Sequence, residues 1–177
     1  MTERGQENRE RVFLSPLFIT KRMKHKILFV CHGNICRSPM AEYVMKYLAE
    51  RAGIGDEMVI SSAATSREEI GNGMYPAAKR KLTEKGIPFE NHAARQVTRS
   101  DYPYYDAIYV MDRMNLRNLL CLIGEDTDNK VGLLMQETEE GARDVADPWY
   151  TGDFESSYQD IYKACSSIVG KYVAKRK

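Results

Sequence analysis

From Lys26 onward the chain alternates short apolar runs with longer stretches whose apolar residues recur every three or four positions. The run Ile27-Leu28-Phe29-Val30 is apolar at both even and odd positions. A strand of that kind has both faces covered, as in the middle of a parallel sheet. Met40, Val44, Tyr47 and Leu48 then stand at i, i+4, i+7 and i+8, one face of a helix. Pro39 suits the first helical position, Ser38 the N-cap, and Gly53 the end. A second strand is expected over 58–61, a polar loop over 63–73, and a helix over 75–85 stopped by Gly86. The pattern continues with a third strand over 106–111, a helix over 115–122 and a weaker fourth strand over 130–134. Residues 136–149 are acidic, broken by Gly141 and Pro148, and read as a loop. A last helix over 154–173 carries Phe154, Tyr158, Ile161, Ala164, Cys165 and Ile168 at helical spacing. Strand–helix alternation predicts an α/β fold: a single domain with an open, four-stranded parallel sheet flanked by helices on both faces.

Composition narrows the class without naming a function. A chain of 177 residues fits one domain, and 43% hydrophobic with 29% charged residues is ordinary for a globular protein. The formal net charge of +1 points to neither nucleic acid nor membrane as partner. Residues 1–26 carry seven Lys/Arg against three Glu, leaving 19 against 22 for the rest. Residues 1–22 are polar and without period. They read as a disordered extension, or as a start placed upstream of the working one at Met23. The apolar stretch over 12–19 is short, interrupted by Ser15 and Pro16, and lacks a cleavage site, so no signal peptide is expected. Four cysteines without framework spacing suggest the reducing cytoplasm. The three histidines are scattered, and no metal or cofactor is expected.

The chemistry is concentrated in Cys31-His32-Gly33-Asn34-Ile35-Cys36-Arg37-Ser38, between the first strand and the first helix. Backbone N–H groups of such a turn and of a helix start converge on one point and form an anion cradle, to which residues 32–38 all contribute. Arg37 adds a planar fork matching two phosphate oxygens. The same positive field keeps Cys31 as a reactive thiolate. Gly33 permits close approach of the backbone, and Asn34 tolerates left-handed φ. A lone buried cysteine is more often only a packed thiol. The added arginine, glycine and helix start make Cys31 a nucleophile in a phosphoryl-transfer site. Its place at the carboxyl end of a strand agrees with the ligand position of open parallel sheets.

The segment from Cys31 to Glu42, Cys-His-Gly-Asn-Ile-Cys-Arg-Ser-Pro-Met-Ala-Glu, resembles the signature of the low-molecular-weight protein tyrosine phosphatases. The likeness continues through Ser62-Ala63-Ala64-Thr65, Gly86-Ile87, His92-Ala93-Ala94-Arg95-Gln96, Tyr105-Asp106 and Met111-Asp112-Arg113-Met114-Asn115. It closes on Asp147-Pro148-Trp149-Tyr150, and spans about Lys26 to Val173. The resemblance implies a catalytic domain over 23–177 that works by a phosphocysteine intermediate, with Cys31 as nucleophile and Arg37 stabilising the transition state. It makes Asp147 the general acid and base, where the residue type alone would suggest a turn former. Trp149 and Tyr150 are implied in the substrate slot. Ser38 is expected to bond the thiolate, Asn34 to hold the turn, His92 to brace it, and His32 to lend its amide with its ring partly exposed. Cys36 is implied as a reversible disulfide partner of Cys31, or else a packed thiol. Cys121 and Cys165 are expected in the core. The loop after Thr65 lacks the aromatic wall the family often has there. Arg67, Glu68 and Glu69 read either as contacts to charges flanking the phosphosite or as a solvated loop, with the solvated loop favoured.

The implied partner is a phosphotyrosine-bearing protein; bacterial members often oppose tyrosine autokinases. Three other functions share parts of this pattern. Protein arginine phosphatases of the same fold tend to carry Thr where Ile35 stands, and Ile35 favours phosphotyrosine. A thioredoxin-coupled arsenate reductase needs relay cysteines, and none lies between Cys36 and Cys121. A non-catalytic phosphoprotein-binding module would not need Cys31, Arg37 and Asp147 together.

Overall fold

In a computed structural model of the chain, residues 24–176 are described; the expected extension over 1–22 lies outside them. The apolar run forms β1 (His25–Cys31), with Ile27, Leu28, Phe29 and Val30 fully buried. It pairs in parallel with β2 (Met58–Ala64) on one side and β3 (Ala107–Val110) on the other. β4 (Val131–Leu133) lies outside β3, which gives the order β2-β1-β3-β4, all parallel.

Alternation along β1 divides the core. Ile27, Phe29 and Cys31 join a cluster with Met40, Val44 and Met45 of α1 (Arg37–Arg51) and with Ile161, Cys165 and Ile168 of α6 (Phe154–Ala174). Ala78 and Leu82 of α2 (Pro76–Glu84) complete that layer. Leu28 and Val30 point the other way, into a smaller cluster with Leu119 of α4 (Arg113–Ile123) and Tyr105. Helices therefore cover both faces, as strand–helix alternation predicts.

Several boundaries differ from the sequence pattern. α1 begins at Arg37, capped by Cys36 without a side-chain bond, and the first helical bond runs from Met40 N to Cys36 O at 3.2 Å. Ser38 is thus inside the first turn and is not the N-cap. α4 starts two residues earlier than the apolar spacing suggests because Asp112 caps it, accepting from Asn115 N at 2.7 Å. A short helix, α3 (Asp101–Tyr104), precedes β3 where none was expected. The acidic stretch holds a 3-10 turn at Leu134–Glu137 and ends in α5 (Pro148–Thr151). Cys165 is fully buried, whereas Cys121 is exposed on the outer side of α4.

The strand order places the site. From β1 the chain moves to β2 on one side, then returns to β3 on the other, so the switch point lies between the carboxyl ends of β1 and β3. That crevice is where ligands bind in sheets of this kind, and Cys31 and Asp112 border it. Because Phe29 is fully buried in the larger cluster, Phe29→Ala should cost about 3–5 kcal/mol of unfolding free energy. Urea denaturation followed by circular dichroism checks this; a loss under about 1 kcal/mol would contradict the assigned core.

Candidate active site

The turn after β1 closes on itself through Cys31. Asn34 N donates to Cys31 Sγ at 3.3 Å, and Ser38 Oγ lies 3.0 Å from the same sulfur. Asn34 adopts φ +58°, the left-handed conformation that lets the loop curl around the sulfur. Its fully buried side chain then fastens the loop from behind. Nδ2 donates to Ser38 Oγ and to Ser62 Oγ, both at 2.9 Å, and Oδ1 accepts from Arg95 N at 3.2 Å. Ser62 donates its own proton to Glu42 Oε2 at 2.5 Å, and Glu42 pairs with Lys46 at 2.6 Å. His92 Nε2 sits 2.6 Å from Asn34 O. Asn34 and His92 are thus placed as expected of residues that hold the turn. Ser62 and Glu42 were not singled out from sequence, since the bond between them spans 20 positions and the one from Asn34 to Ser62 spans 28.

Arg37 is the centre of the charge arrangement. Only 2% of it is exposed, so its charge requires partners. Nη1 donates to Asp112 Oδ2 at 2.7 Å and to Val145 O at 3.0 Å, while Nη2 donates to Asp147 Oδ2 at 2.8 Å. Each carboxylate uses its other oxygen at a helix start: Asp112 Oδ1 accepts from Asn115 N, and Asp147 Oδ1 from Trp149 N at 3.0 Å. Among the described residues nothing accepts from Arg37 Nε. Asp112 was not among the site residues read from sequence. Its cap position was a legible signal, its pairing with Arg37 was not.

A cavity of about 690 Å³ opens over this turn. Cys31, His32, Gly33, Ile35, Cys36, Arg37, Asp112, Asp147, Trp149 and Tyr150 all line it. Trp149 and Tyr150 stand exposed at its mouth, and Trp149 meets Tyr75 edge-on with ring centroids 5.1 Å apart. Glu68 is solvent-exposed and Glu69 half-buried, and both also line the cavity, in reach of what binds there. Glu68 Oε2 lies 3.0 Å from His32 Nε2, whose ring is half exposed. The stem of Glu69 packs over Gly33, where an added Cβ would come within 3.2 Å of its Cγ. Cys36 is buried, and burial together with the neighbouring Cys31 pushes its thiol up to about 12. No group of three His, Cys, Asp or Glu among the described residues is placed to hold a metal ion. No described helix is long and apolar enough to cross a membrane.

These features agree with the comparisons. Residues 26–177 match the family model described as low molecular weight phosphotyrosine protein phosphatase, and the chain belongs to that family. It is 36% identical over 144 residues to the low molecular weight protein-tyrosine-phosphatase YfkJ of Bacillus subtilis, covering 81% of this chain and 92% of YfkJ. It is 37% identical over 149 residues to the human low molecular weight phosphotyrosine protein phosphatase, covering 82% and 94%. The crystal structure of YfkJ superposes with a TM-score of 0.82 at 34% identity, over 87% of this chain and 98% of that one. Cys31 and Arg37 occupy the positions expected of the family signature.

The four cysteines are free and differ sharply in environment. Burial raises the Cys36 thiol to about 12 and holds Cys165 above the ordinary thiol range, so both stay protonated at neutral pH. Brief iodoacetamide treatment at pH 7 should therefore label exposed Cys121 and leave Cys36 and Cys165 unmodified. Peptide mapping by mass spectrometry reads this, and early labelling of Cys36 would refute the assigned environment.

Proposed function

We propose that the chain is a protein-tyrosine phosphatase that hydrolyses phosphotyrosine monoesters in two successive transfers. The observation that carries this reading is the convergence of Cys31, Arg37 and Asp147 on one cavity. Cys31 thiolate attacks phosphorus, the bond from phosphorus to the tyrosine oxygen breaks, and Asp147 gives its proton to the departing phenolate. The Asp147 carboxylate then takes a proton from water as that water attacks the phosphocysteine. Phosphate leaves and the thiolate returns. Amides of the turn and Arg37 hold the equatorial oxygens, which is most effective as charge spreads in the transition state.

The arrangement of Arg37 supports this sequence of events. Nε and Nη2 share one edge of the guanidinium, and Asp147 occupies only the Nη2 end of it. A phosphate dianion competing for that edge frees Asp147 to carry a proton, while Nη1 stays fixed on Asp112 and Val145 O. Ser38 supports the second step, since a hydroxyl donating to sulfur makes the thiolate a better leaving group. Trp149 and Tyr150 flank the aryl ring at the mouth.

Cys36 serves as redox partner of Cys31, both lining one cavity. Peroxide oxidises Cys31 to the sulfenic acid, and the Cys36 thiol condenses with it, losing water to give a disulfide that thiols reverse. The substrate is a phosphotyrosine-bearing protein, a bacterial tyrosine autokinase among the possibilities. The four free thiols suit the reducing cytoplasm.

Two measurements test the mechanism. Cys31→Ser should abolish p-nitrophenyl phosphate turnover, and Asp147→Ala should slow it by about 10²–10⁴-fold, the usual size of general-acid loss. A folded wild type without turnover, or a slowing below about threefold for Asp147→Ala with chemistry rate-limiting, would overturn the respective role.

Ile35 supplies the test of substrate class, because its apolar side chain lines the cavity. Wild type should prefer phosphotyrosine peptides over phosphoarginine peptides, and Ile35→Thr should narrow the gap. Faster phosphoarginine hydrolysis by wild type would make the chain an arginine phosphatase.

A further inference from the structure

The charges lining the cavity are unequally neutralised. Five carboxylates line it: Glu68, Glu69, Asp112, Asp144 and Asp147. Asp112 and Asp147 are bonded to Arg37, and Asp144 pairs with Arg113 at 3.1 Å. Glu68 meets only the His32 ring, and Glu69 accepts from the neutral amide of Asn72 at 2.7 Å. Among the described residues no Lys or Arg forms an ion pair with either, and neighbouring Arg67 does not line the cavity. These two carboxylates therefore face the mouth without a Lys or Arg to neutralise them.

They are also held in place. The ladder of β2 continues past its end, with Thr65 N donating to Cys31 O and Ser66 N to His32 O, both at 2.9 Å. Further along, Gly71 N donates to Ala94 O and Ala94 N to Asn72 O, both at 2.8 Å. Residues 65–72 are thus fastened to the phosphate-binding turn on one side and to the segment carrying His92 on the other. With the Glu69 stem over Gly33 and Glu68 on His32, the segment forms a wall of the cavity that Trp149 also lines.

We propose that Glu68 and Glu69 are specificity-determining residues that favour phosphotyrosines flanked by Lys or Arg over those flanked by Asp or Glu. This rests on the tyrosine-phosphatase reading. With the aryl phosphate seated on the turn, the peptide chain lies across the mouth. Its flanking side chains then fall within about one Debye length, ~8–10 Å, of both carboxylates. A single exposed pair changes affinity by only about two- to fivefold. Two fixed acids acting with opposite sign on basic and acidic flanks give a ratio on the order of tenfold.

The test compares kcat/KM for two phosphotyrosine peptides of equal length, one with Lys/Arg and one with Asp/Glu on both sides, in wild type and in Glu68→Gln/Glu69→Gln. Glutamine keeps the size and the hydrogen-bonding reach of each side chain. Wild type should favour the basic peptide by about tenfold at low salt. The ratio should shrink toward one in the double variant, and in wild type at high salt, where surface charges are screened. Equal rates on both peptides, an acidic preference, or a ratio unchanged in the double variant would overturn the proposal. In those cases p-nitrophenyl phosphate turnover by wild type leaves the phosphatase reading standing. Absence of that turnover would remove both.

Discussion

The buried guanidinium of Arg37 is the constraint on which the rest of the site depends. A cation with almost no exposure is tolerated only where carboxylates meet it, and removing one partner of such a pair typically costs about 3–5 kcal/mol. Those carboxylates come from residues 75 and 110 positions further along the chain. Burying Arg37 therefore forces the turns after β1 and β3 and the segment before α5 to converge. Asp112 and Asp147 each spend a second oxygen on a helix start, so the contacts that balance Arg37 also fix the first turns of α4 and α5. Site and fold share the same bonds.

A second set of bonds gives the site its direction. Glu42 is an acceptor held by Lys46, so Ser62 must give its only proton to Glu42. The Ser62 oxygen is then an acceptor, and Asn34 Nδ2 donates to it and to Ser38. Ser38 thus receives a bond and keeps its own proton for Cys31 Sγ or for Ala63 O at 3.3 Å. A chain of neutral and charged groups behind the turn leaves one hydroxyl proton free for the sulfur. Such a network works only when every member is satisfied, which accounts for polar residues as buried as Asn34, Ser38 and Ser62 in an otherwise apolar layer.

What was legible in the sequence follows from how local each signal is. β1, the principal helices and the parallel order rest on periodicity and alternation, which a single strand or helix imposes on its own residues. The cradle was legible because nucleophile, glycine, asparagine and arginine lie within one turn. Ser38 misled because Ser before Pro looks like a cap, while the turn here winds directly into α1 from Arg37. Cys121 misled because α4 covers the sheet with a narrow face that Leu119 occupies and Cys121 does not. Asp112 and Glu42 have local partners in Asn115 and Lys46, but the bonds that tie them to the site, to Arg37 and Ser62, span 75 and 20 positions. The wall formed by Glu68 and Glu69 is set by backbone bonds to residues 31, 32 and 94, which no spacing of side chains encodes.

The same geometry explains how a site rich in carboxylates can receive a dianion. Long-range repulsion from Glu68 and Glu69 acts at the mouth, where water and salt weaken it. At the floor the phosphate meets turn amides and a guanidinium in a confined space where attraction is stronger. Only one bond must be exchanged there, because Arg37 Nη1 keeps Asp112 and Val145 O while Nη2 changes partner. In the proposed mechanism Asp147 gives up that bond, and its other oxygen, held by Trp149 N, keeps it at the site. Under the proposed specificity, the acidic wall and the buried cation act on different parts of one substrate: the cation on the phosphate every substrate shares, the wall on the residues that distinguish one phosphotyrosine from another.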